Sequence, residues 1–428
     1  MFRFPLWTLA FLFTLALFPA VSDSAIIHVS KDGDGSDGTS WDKAFQTLTA
    51  GLAVAASGDQ IWVKGGVYHE RIQLATDVAV YGGFAGTEGT DEFDLRDWKT
   101  NETVVDGDGD HKRLFKSAAG AVLDGLIFRD GLAGGGLITH SMELSNCDIE
   151  DNSGVGEGAG LYIEAPYVRL TMCNIAKNRA AYRGGGIFAF CDEMHLDKCL
   201  ISNNECYDTG GGLLNAAHVR DMTNCIVSNN TCEIGSGGGM YAIQSIAKIN
   251  HCAFVRSSSA QGGESIDVHF SGNANDPLSS ITILNSIITD SRRGIFYHIH
   301  NSVLATPLHF GEYGSGNIVA NPLFIGPDDY HLQANSPAID AGTKVNVFGD
   351  LDGNPRPIDI PGHGQDGTQS EFDCGAYEFQ IPAATPTPTM SPQPTATMNP
   401  NSDINENGRV DAEVLMMLLE DWGKRGGR

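Results

Sequence analysis

Cys173-Asn174-Ile175-Ala176-Lys177-Asn178-Arg179-Ala180-Ala181-Tyr182-Arg183-Gly184-Gly185-Gly186-Ile187-Phe188-Ala189-Phe190-Cys191-Asp192-Glu193-Met194-His195-Leu196-Asp197-Lys198 is followed at once by a second unit of the same design, beginning at Cys199. The beat extends in both directions. Cys147, Cys173, Cys199, Cys225 and Cys252 recur at intervals of 26, 26, 26 and 27 residues. Asn152, Asn178, Asn204 and Asn230 keep the same register, and so do the triplets that open at Gly158, Gly184, Gly210 and Gly237. Three independent features in one register mark a solenoid, in which each repeat buries its apolar face only against its neighbours.

Local pattern decides which solenoid. Gly186-Ile187-Phe188-Ala189-Phe190 and Met194-His195-Leu196-Asp197 alternate with period two, and no repeat holds an amphipathic segment of helical length. Glycine and asparagine punctuate every unit, as tight corners at positive φ require. Helical repeats are excluded. About 26 residues per turn fits a coil of three short strands and three corners, stacked as an all-β, right-handed parallel β-helix.

Equivalent residues then lie one above another, about 4.8 Å apart. Three inner ladders are expected: Leu161, Ile187, Leu213 and Met240, continued by Ile266 and Ile295; Leu170, Leu196, Met222 and Ile249; and Ile175, Ile201, Val227 and Phe254. The cysteines fit this interior as small apolar residues. The asparagines can pass amide hydrogen bonds from coil to coil at a left-handed corner. Cysteines on adjacent coils fall within disulfide range, and Cys206 and Cys232 are the best-placed pair; the alternative keeps every thiol buried and reduced.

Residues 26–59 read as an N-terminal cap. Ser40 is a candidate N-cap for an amphipathic helix running to about Ala56, with Trp41, Phe45, Leu48 and Leu52 on one face. Coils are expected over 60–340, then a closing segment over 341–381 and a Pro/Thr-rich linker over 382–400.

Met1-Phe2-Arg3 followed by an apolar run to Val21 has the layout of a signal peptide over residues 1–25, with a retained membrane anchor as the alternative, so the chain is expected to be exported, either secreted or at the cell surface, with no membrane span in its mature form. The net charge of −26, from 53 acidic and 27 basic residues, repels nucleic acid. It would also repel a polyuronic acid unless calcium bridged the two anions.

Several motifs at the ends carry a resemblance. They are Ser40-Trp41, Gly58-Asp59-Gln60-Ile61-Trp62-Val63, Tyr81-Gly82-Gly83-Phe84-Ala85-Gly86-Thr87-Glu88 and Asn321-Pro322-Leu323-Phe324. To these are added Asp329-Tyr330-His331-Leu332, Ser336-Pro337-Ala338-Ile339-Asp340-Ala341-Gly342, Asp350-Leu351-Asp352-Gly353 and Cys374-Gly375-Ala376-Tyr377-Glu378. Over residues 26–379 the chain resembles bacterial exported right-handed β-helix proteins of the pectate-lyase-like superfamily, the group with a variable C-terminal anchor. The resemblance implies fold and export; activity does not follow from it.

Residues 401–428 form a separate motif. Asp403, Asn405, Asn407, Arg409 and Asp411 fall at positions 1, 3, 5, 7 and 9 of a calcium loop, with Gly408 at the sharp turn. Val414, Leu415, Leu418, Leu419 and Trp422 follow as one apolar helical face. The segment resembles half of a dockerin, which implies calcium and a cohesin-like partner. It departs from that pattern in having Val414 at position 12 and no second repeat.

Outward positions supply the candidate chemistry. Arg169, His195, Asp221 and Lys248, with Asp197 nearby, form a charged column in which carboxylates could hold calcium against a uronate and a base could abstract the adjacent proton. A solvated face with cross-strand charge pairs is the structural alternative. Tyr162, Phe188, Leu214 and Tyr241 form a second column that could stack on sugar rings, or be covered as a satellite core. Asp350, Asp352 and Arg356 suggest either a second calcium site, within the β-helix unit, or a hydrogen-bonded turn. Two functional classes emerge: a protein that binds or degrades extracellular polysaccharide, as a lyase or glycoside hydrolase if an enzyme, or a non-catalytic adhesive protein whose solenoid is a spacer.

Overall fold

The structure is a computed structural model that describes residues 24–381, apart from 110, 217–218, 244–245, 262–263, 270–279, 291, 294–296, 306–313 and 365–370. The signal-like segment up to residue 23, the linker and the calcium-loop motif lie outside the described residues, as does Ile295. The chain divides into two compact units, Met1–Phe379 and Gln380–Arg428. Every described strand and helix belongs to the first.

Parallel strands stack into three long sheets. Sheet A has eleven strands, from Ile26–Val29 to Tyr297–His300; sheet B has eleven, from Gly66–Tyr68 to Ile318–Val319; sheet C has nine, from Ile72–Gln73 to Arg292–Arg293. One coil runs Tyr167–Thr171 in sheet A, Asn174–Ala176 in sheet B, Ile187–Ala189 in sheet C, and back to Glu193–Asp197 in sheet A. These stacked parallel sheets are consistent with a right-handed parallel β-helix. The strand ladder spans Ile26–Val319 rather than 60–340, because Ile26–Val29 already pairs with Gln60–Val63.

The inner ladders have the expected register. Leu161, Ile187, Leu213, Met240 and Ile266 are successive partners, as are Leu170, Leu196, Met222 and Ile249, and Ile175, Ile201, Val227 and Phe254. All are buried in one continuous core. Each such side chain contributes about 1.5–3 kcal/mol by leaving water. Cys147, Cys173, Cys199, Cys225 and Cys252 join this core as free thiols.

The corners differ from expectation in two ways. A fourth column of five two-residue strands, among them Arg179–Ala180, Glu205–Cys206 and Thr231–Cys232, makes the coil three strands plus a paired corner. The asparagine ladder stands just before it. Asn204 Oδ1 accepts from Asn178 N at 3.0 Å and Asn178 Nδ2 at 3.0 Å, while Asn204 Nδ2 donates to Ile175 O at 2.8 Å and Asn230 Oδ1 at 3.0 Å. The left-handed residue is the one preceding each ladder asparagine: Asp151, Lys177, Asn203 and Asn229 have φ of 54°, 56°, 56° and 55°. The bend thereby turns the next side chain inward, where its amide meets the coils on either side.

The cap is smaller than expected. Helix α1 spans Leu48–Val54, with Thr47 as N-cap; its hydroxyl accepts from Ala50 N at 3.1 Å. The Glu70 carboxylate takes the Leu48 and Thr49 amides at 2.7 and 2.9 Å. Ser40 does not start the helix because Phe45 is drawn into the sheet edge, donating to His28 O at 3.0 Å and accepting from Ser30 N at 2.8 Å. Leu48 and Leu52 still cover the open end of the core, against Ile27, Val29 and Ile61.

Past Val319 the chain runs back along the flank of the solenoid. Leu332, Ala338, Ile339, Cys374 and Phe379 cover Ile287 and Val303, and Tyr330 and Ala376 cover Ile226, Ala253 and Val255 on the outer side of sheet B. Beneath this cover the Arg356 and Glu378 side chains, both fully buried, pair at 3.1 Å. Asp350, Asp352 and Arg356 are bound up in this segment. Asp350 accepts from Asn354 N at 2.8 Å and Glu378 N at 3.1 Å, Asp352 pairs with His331 at 2.8 Å, and Arg356 donates to Gly375 O at 3.1 Å. These residues form the hydrogen-bonded turn that the sequence offered as one of two readings. No group of three or more His, Cys, Asp or Glu among the described residues is arranged to hold a metal.

Candidate functional site

The outer face of sheet A carries the charged column. Period-two alternation points Leu144, Leu170, Leu196 and Met222 inward, which turns Glu143, Arg169, His195 and Asp221 outward on four successive coils. Arg169 Nε lies 3.8 Å from Glu143 Oε1 and donates to the Tyr167 hydroxyl at 2.9 Å. His195 bridges two carboxylates: Nε2 is 3.0 Å from Glu193 Oε1, and Nδ1 is 3.4 Å from Asp221 Oδ2. Its ring packs 5.5 Å from that of Tyr167. The His195 side chain is 17% exposed, whereas that of Asp221 is 54% exposed. The histidine thus sits in the floor of the face and the aspartate stands above it.

Asp197 and Lys248 are placed differently. Asp197 lies in the neighbouring outward row, between Thr171 and Thr223, and burial raises its carboxyl above the usual range, against the pull of Lys198 and Arg169. Lys248 is exposed on the strand after Asp221; the strand of Asp221 itself is irregular, its register shifting between Val219 and Asp221 against the His195 strand and between Val219 and Met222 against the Lys248 strand. The structure therefore brings Arg169 and His195 into one line with Glu143, continues it to Asp221 on an irregular strand and to Lys248 on the next, and sets Asp197 beside it.

The N-terminal end of this face is closed. Arg96 pairs with Asp124 at 2.9 Å and stacks its guanidinium over Phe93, Trp98 and Tyr81, at 4.7, 5.1 and 5.3 Å from their centroids. Trp62, outward on an early strand, is buried against Phe84 with ring centroids 4.5 Å apart. This plug has no counterpart in the repeat, so nothing periodic in the sequence announces it. An open cleft of about 420 Å³ lies at the same end, lined by Lys64, Gly65, Gly66, Phe84, Ala85 and Lys99–Glu102.

The aromatic column lies on sheet C, where Tyr162, Phe188, Leu214 and Tyr241 are register partners. Tyr162 and Phe188 stack at 5.2 Å and 12°. Arg113 lies 5.5 Å from the Tyr162 ring and donates to Gly158 O and Glu157 O at 2.7 Å each. Leu214 is buried; the Gly210 loop lies against it as the Gly184 and Gly237 loops lie against Phe188 and Tyr241. A Cβ on each glycine would stand 2.7, 2.8 and 2.8 Å from the three Cβ atoms, and the shorter leucine side chain does not reach past its loop. Tyr162, Phe188 and Tyr241 remain half-buried. The leucine is covered, and the aromatics keep an outer side. The five calcium-loop residues Asp403, Asn405, Asn407, Arg409 and Asp411 lie outside the described residues.

Solved structures share this architecture. The crystal structure of the pectate lyase Pel9A matches with a TM-score of 0.50 at 15% identity, covering 84% of this chain and 98% of that one. The pectin methylesterase PemA from Erwinia chrysanthemi matches with a TM-score of 0.37 at 13% identity, over 69% of this chain and 93% of that one. XylC in complex with xylose matches with a TM-score of 0.37 at 10% identity, over 67% and 76%. No protein-family model and no curated protein sequence matches the chain. At this identity the first likeness establishes the parallel β-helix fold of a pectate lyase, and nothing finer. No helix among the described residues is long and apolar enough to cross a membrane.

Proposed function

We propose that this is an exported protein that binds or degrades an extracellular polysaccharide along the outer face of sheet A. The observation that carries the reading is the row Glu143, Arg169, His195 and Asp221, one outward polar group on each of four successive coils. A surface that repeats along one axis complements a linear polymer, which can offer one contact per repeat. The pectate-lyase fold supports the same substrate class.

If the face is catalytic, His195, Arg169 or Lys248 acts as the base, and Asp197 and Asp221 are the carboxylates that hold a calcium ion against a uronate. Calcium is required by charge as well as by chemistry, since a chain of net charge −26 repels an acidic glycan. Tyr162, Phe188 and Tyr241 supply stacking surface on sheet C. The Asp403–Asp411 loop binds calcium and presents the tail to a cohesin-like partner, which tethers the solenoid outside the cell.

A second reading has its own support. Glu143 with Arg169, and Glu193 and Asp221 with His195, already pair within the face, as a non-catalytic spacer or adhesin would have them. A glycan panel screened for binding and for cleavage, with calcium and with chelator, separates the two. Polysaccharide binding that weakens in Asp221→Ala supports the first reading. Absence of binding and cleavage across the panel in both conditions leaves the spacer.

A further inference from the structure

Nine cysteines occupy the first unit, and they differ in what their thiols face. Those of the inner ladder meet main-chain oxygens and have a thiol neighbour on either side: Cys173 Sγ meets Leu144 O and Thr171 O, between Cys147 and Cys199, and Cys199 Sγ meets Leu170 O and Asp197 O, between Cys173 and Cys225. Cys374 donates to Asn301 O at 3.0 Å. Cys206 and Cys232 face each other, Sγ to Sγ at 3.1 Å, and Cys232 Sγ also lies 3.5 Å from Ser236 O.

Their position explains why. Both lie in the corner column, as direct partners in the pairing of Glu205–Cys206 with Thr231–Cys232. Parallel neighbours stand about 4.8 Å apart, inside the range of about 4.4–6.8 Å between Cα atoms that a disulfide spans. The column places Ala180 before the pair and Ser259 after it, so each cysteine has one cysteine neighbour in the stack and pairing is unambiguous. Ala159 and Ala180 complete a small apolar cluster around the two sulfurs.

We infer that Cys206 and Cys232 are a cross-coil disulfide site, oxidised by a small-molecule or protein disulfide as the coils stack. One cysteine thiolate attacks a sulfur of the oxidant, breaking its S–S bond and releasing one thiol. The second cysteine then attacks the mixed disulfide, forming the Sγ–Sγ bond and releasing the other thiol. Two protein thiols are oxidised and one external disulfide is reduced to two thiols. The reaction belongs to folding or to local opening of the corner, because both sulfurs are buried in the finished coil. The contact with Cys232, together with burial, holds the Cys206 thiol well above its ordinary pKa and leaves it a poor nucleophile once enclosed. The site is independent of the charged face; in the cell it needs an oxidising compartment, which the proposed export supplies.

The test uses the full chain, reduced, unfolded and refolded with glutathione disulfide, then denatured, alkylated and mapped by mass spectrometry. The expected result is seven alkylated cysteines, nine less the bridged pair, with the Cys206 peptide linked to the Cys232 peptide and nine alkylated after reduction. Nine alkylated cysteines in the refolded, oxidised chain would overturn the inference, and so would a bridge joining any other pair. Because the oxidant is added to purified protein, either result is independent of where the chain resides. In Cys206→Ala all eight remaining cysteines should be alkylated; a bridge that persists there would also overturn it.

Discussion

Replacing Asn204 by Ala removes the middle of the asparagine ladder. In the native chain the Asn204 side chain accepts from the Asn178 amide and side chain and donates to Ile175 O and to Asn230 Oδ1. Asn204 is fully buried, so water cannot replace these bonds. The substitution leaves two groups without a partner, the Asn178 N–H and one Asn178 Nδ2 hydrogen; the Ile175 carbonyl stays in the ladder with the next coil. Asn230 Oδ1 keeps the bond from Asn204 N at 2.9 Å. At the low end of the penalty for a buried unpaired group, about 1 kcal/mol each, the loss is about 2 kcal/mol. The vacated volume brings it to about 3 kcal/mol. Urea denaturation followed by circular dichroism should show the midpoint falling with little change in slope. Asn203→Gly is the control. Asn203 is exposed at φ +56°, a conformation glycine adopts freely, so the change should cost only a few tenths of a kcal/mol. A loss below about 1 kcal/mol for Asn204→Ala would refute the claim that the ladder is a buried, satisfied network.

Three further outcomes are expected. Gly211→Ala places a Cβ 2.5 Å from both Gly238 O and Thr231 O, main-chain atoms that cannot yield cheaply, and should cost about 2 kcal/mol or more; Gly156→Ala, with nothing within 4 Å, should be neutral or slightly stabilising in the same urea denaturation. Burial raises the Glu378 carboxyl far above its ordinary value, with Asp373 adding to the shift and Arg356 opposing it. The folded state therefore binds a proton that the unfolded state gives up, and stability should fall as pH rises from the ordinary carboxylate range through the raised pKa. Denaturation midpoints should show a shallower decline over that interval in Glu378→Gln; an unchanged pH slope would contradict it. In Arg356→Met, measured above the raised Glu378 pKa where the carboxylate is ionised, Glu378 is left as a buried charge without its partner, and chemical denaturation should register a loss of about 3–5 kcal/mol.

How much of this was legible in the sequence depends on repetition. The inner ladders, the asparagine stack and the outward row could be read because each recurs with the coil, so one register fixes all copies. Arg169, His195 and Asp221 came out in line for that reason. The departures lie where repetition stops. Phe45 looks helical by spacing, yet its backbone completes the sheet edge at His28 and Ser30. Trp62 and Leu214 occupy outward positions but are buried, because covering segments sit over them. The Arg356–Glu378 pair joins residues of a segment without periodicity, and its partner surface on sheet B exists only because the chain doubles back. The corner column was missed because two residues are too short to show alternation.

Stacking of sequence-distant residues at a fixed step underlies both the fold and the proposed face, and paired spin labels on the outer side of sheet A measure it directly. Labels at Glu143 and Lys248 sit on strands four steps apart, and labels at Glu143 and Thr282 five steps apart. At about 4.8 Å per step the backbone separations are about 19 and 24 Å, so the two distance distributions should be narrow and offset by about 5 Å. Broad distributions, or separations that grow with the number of intervening residues instead of the number of coils, would contradict the stacked-coil architecture and with it the proposed face.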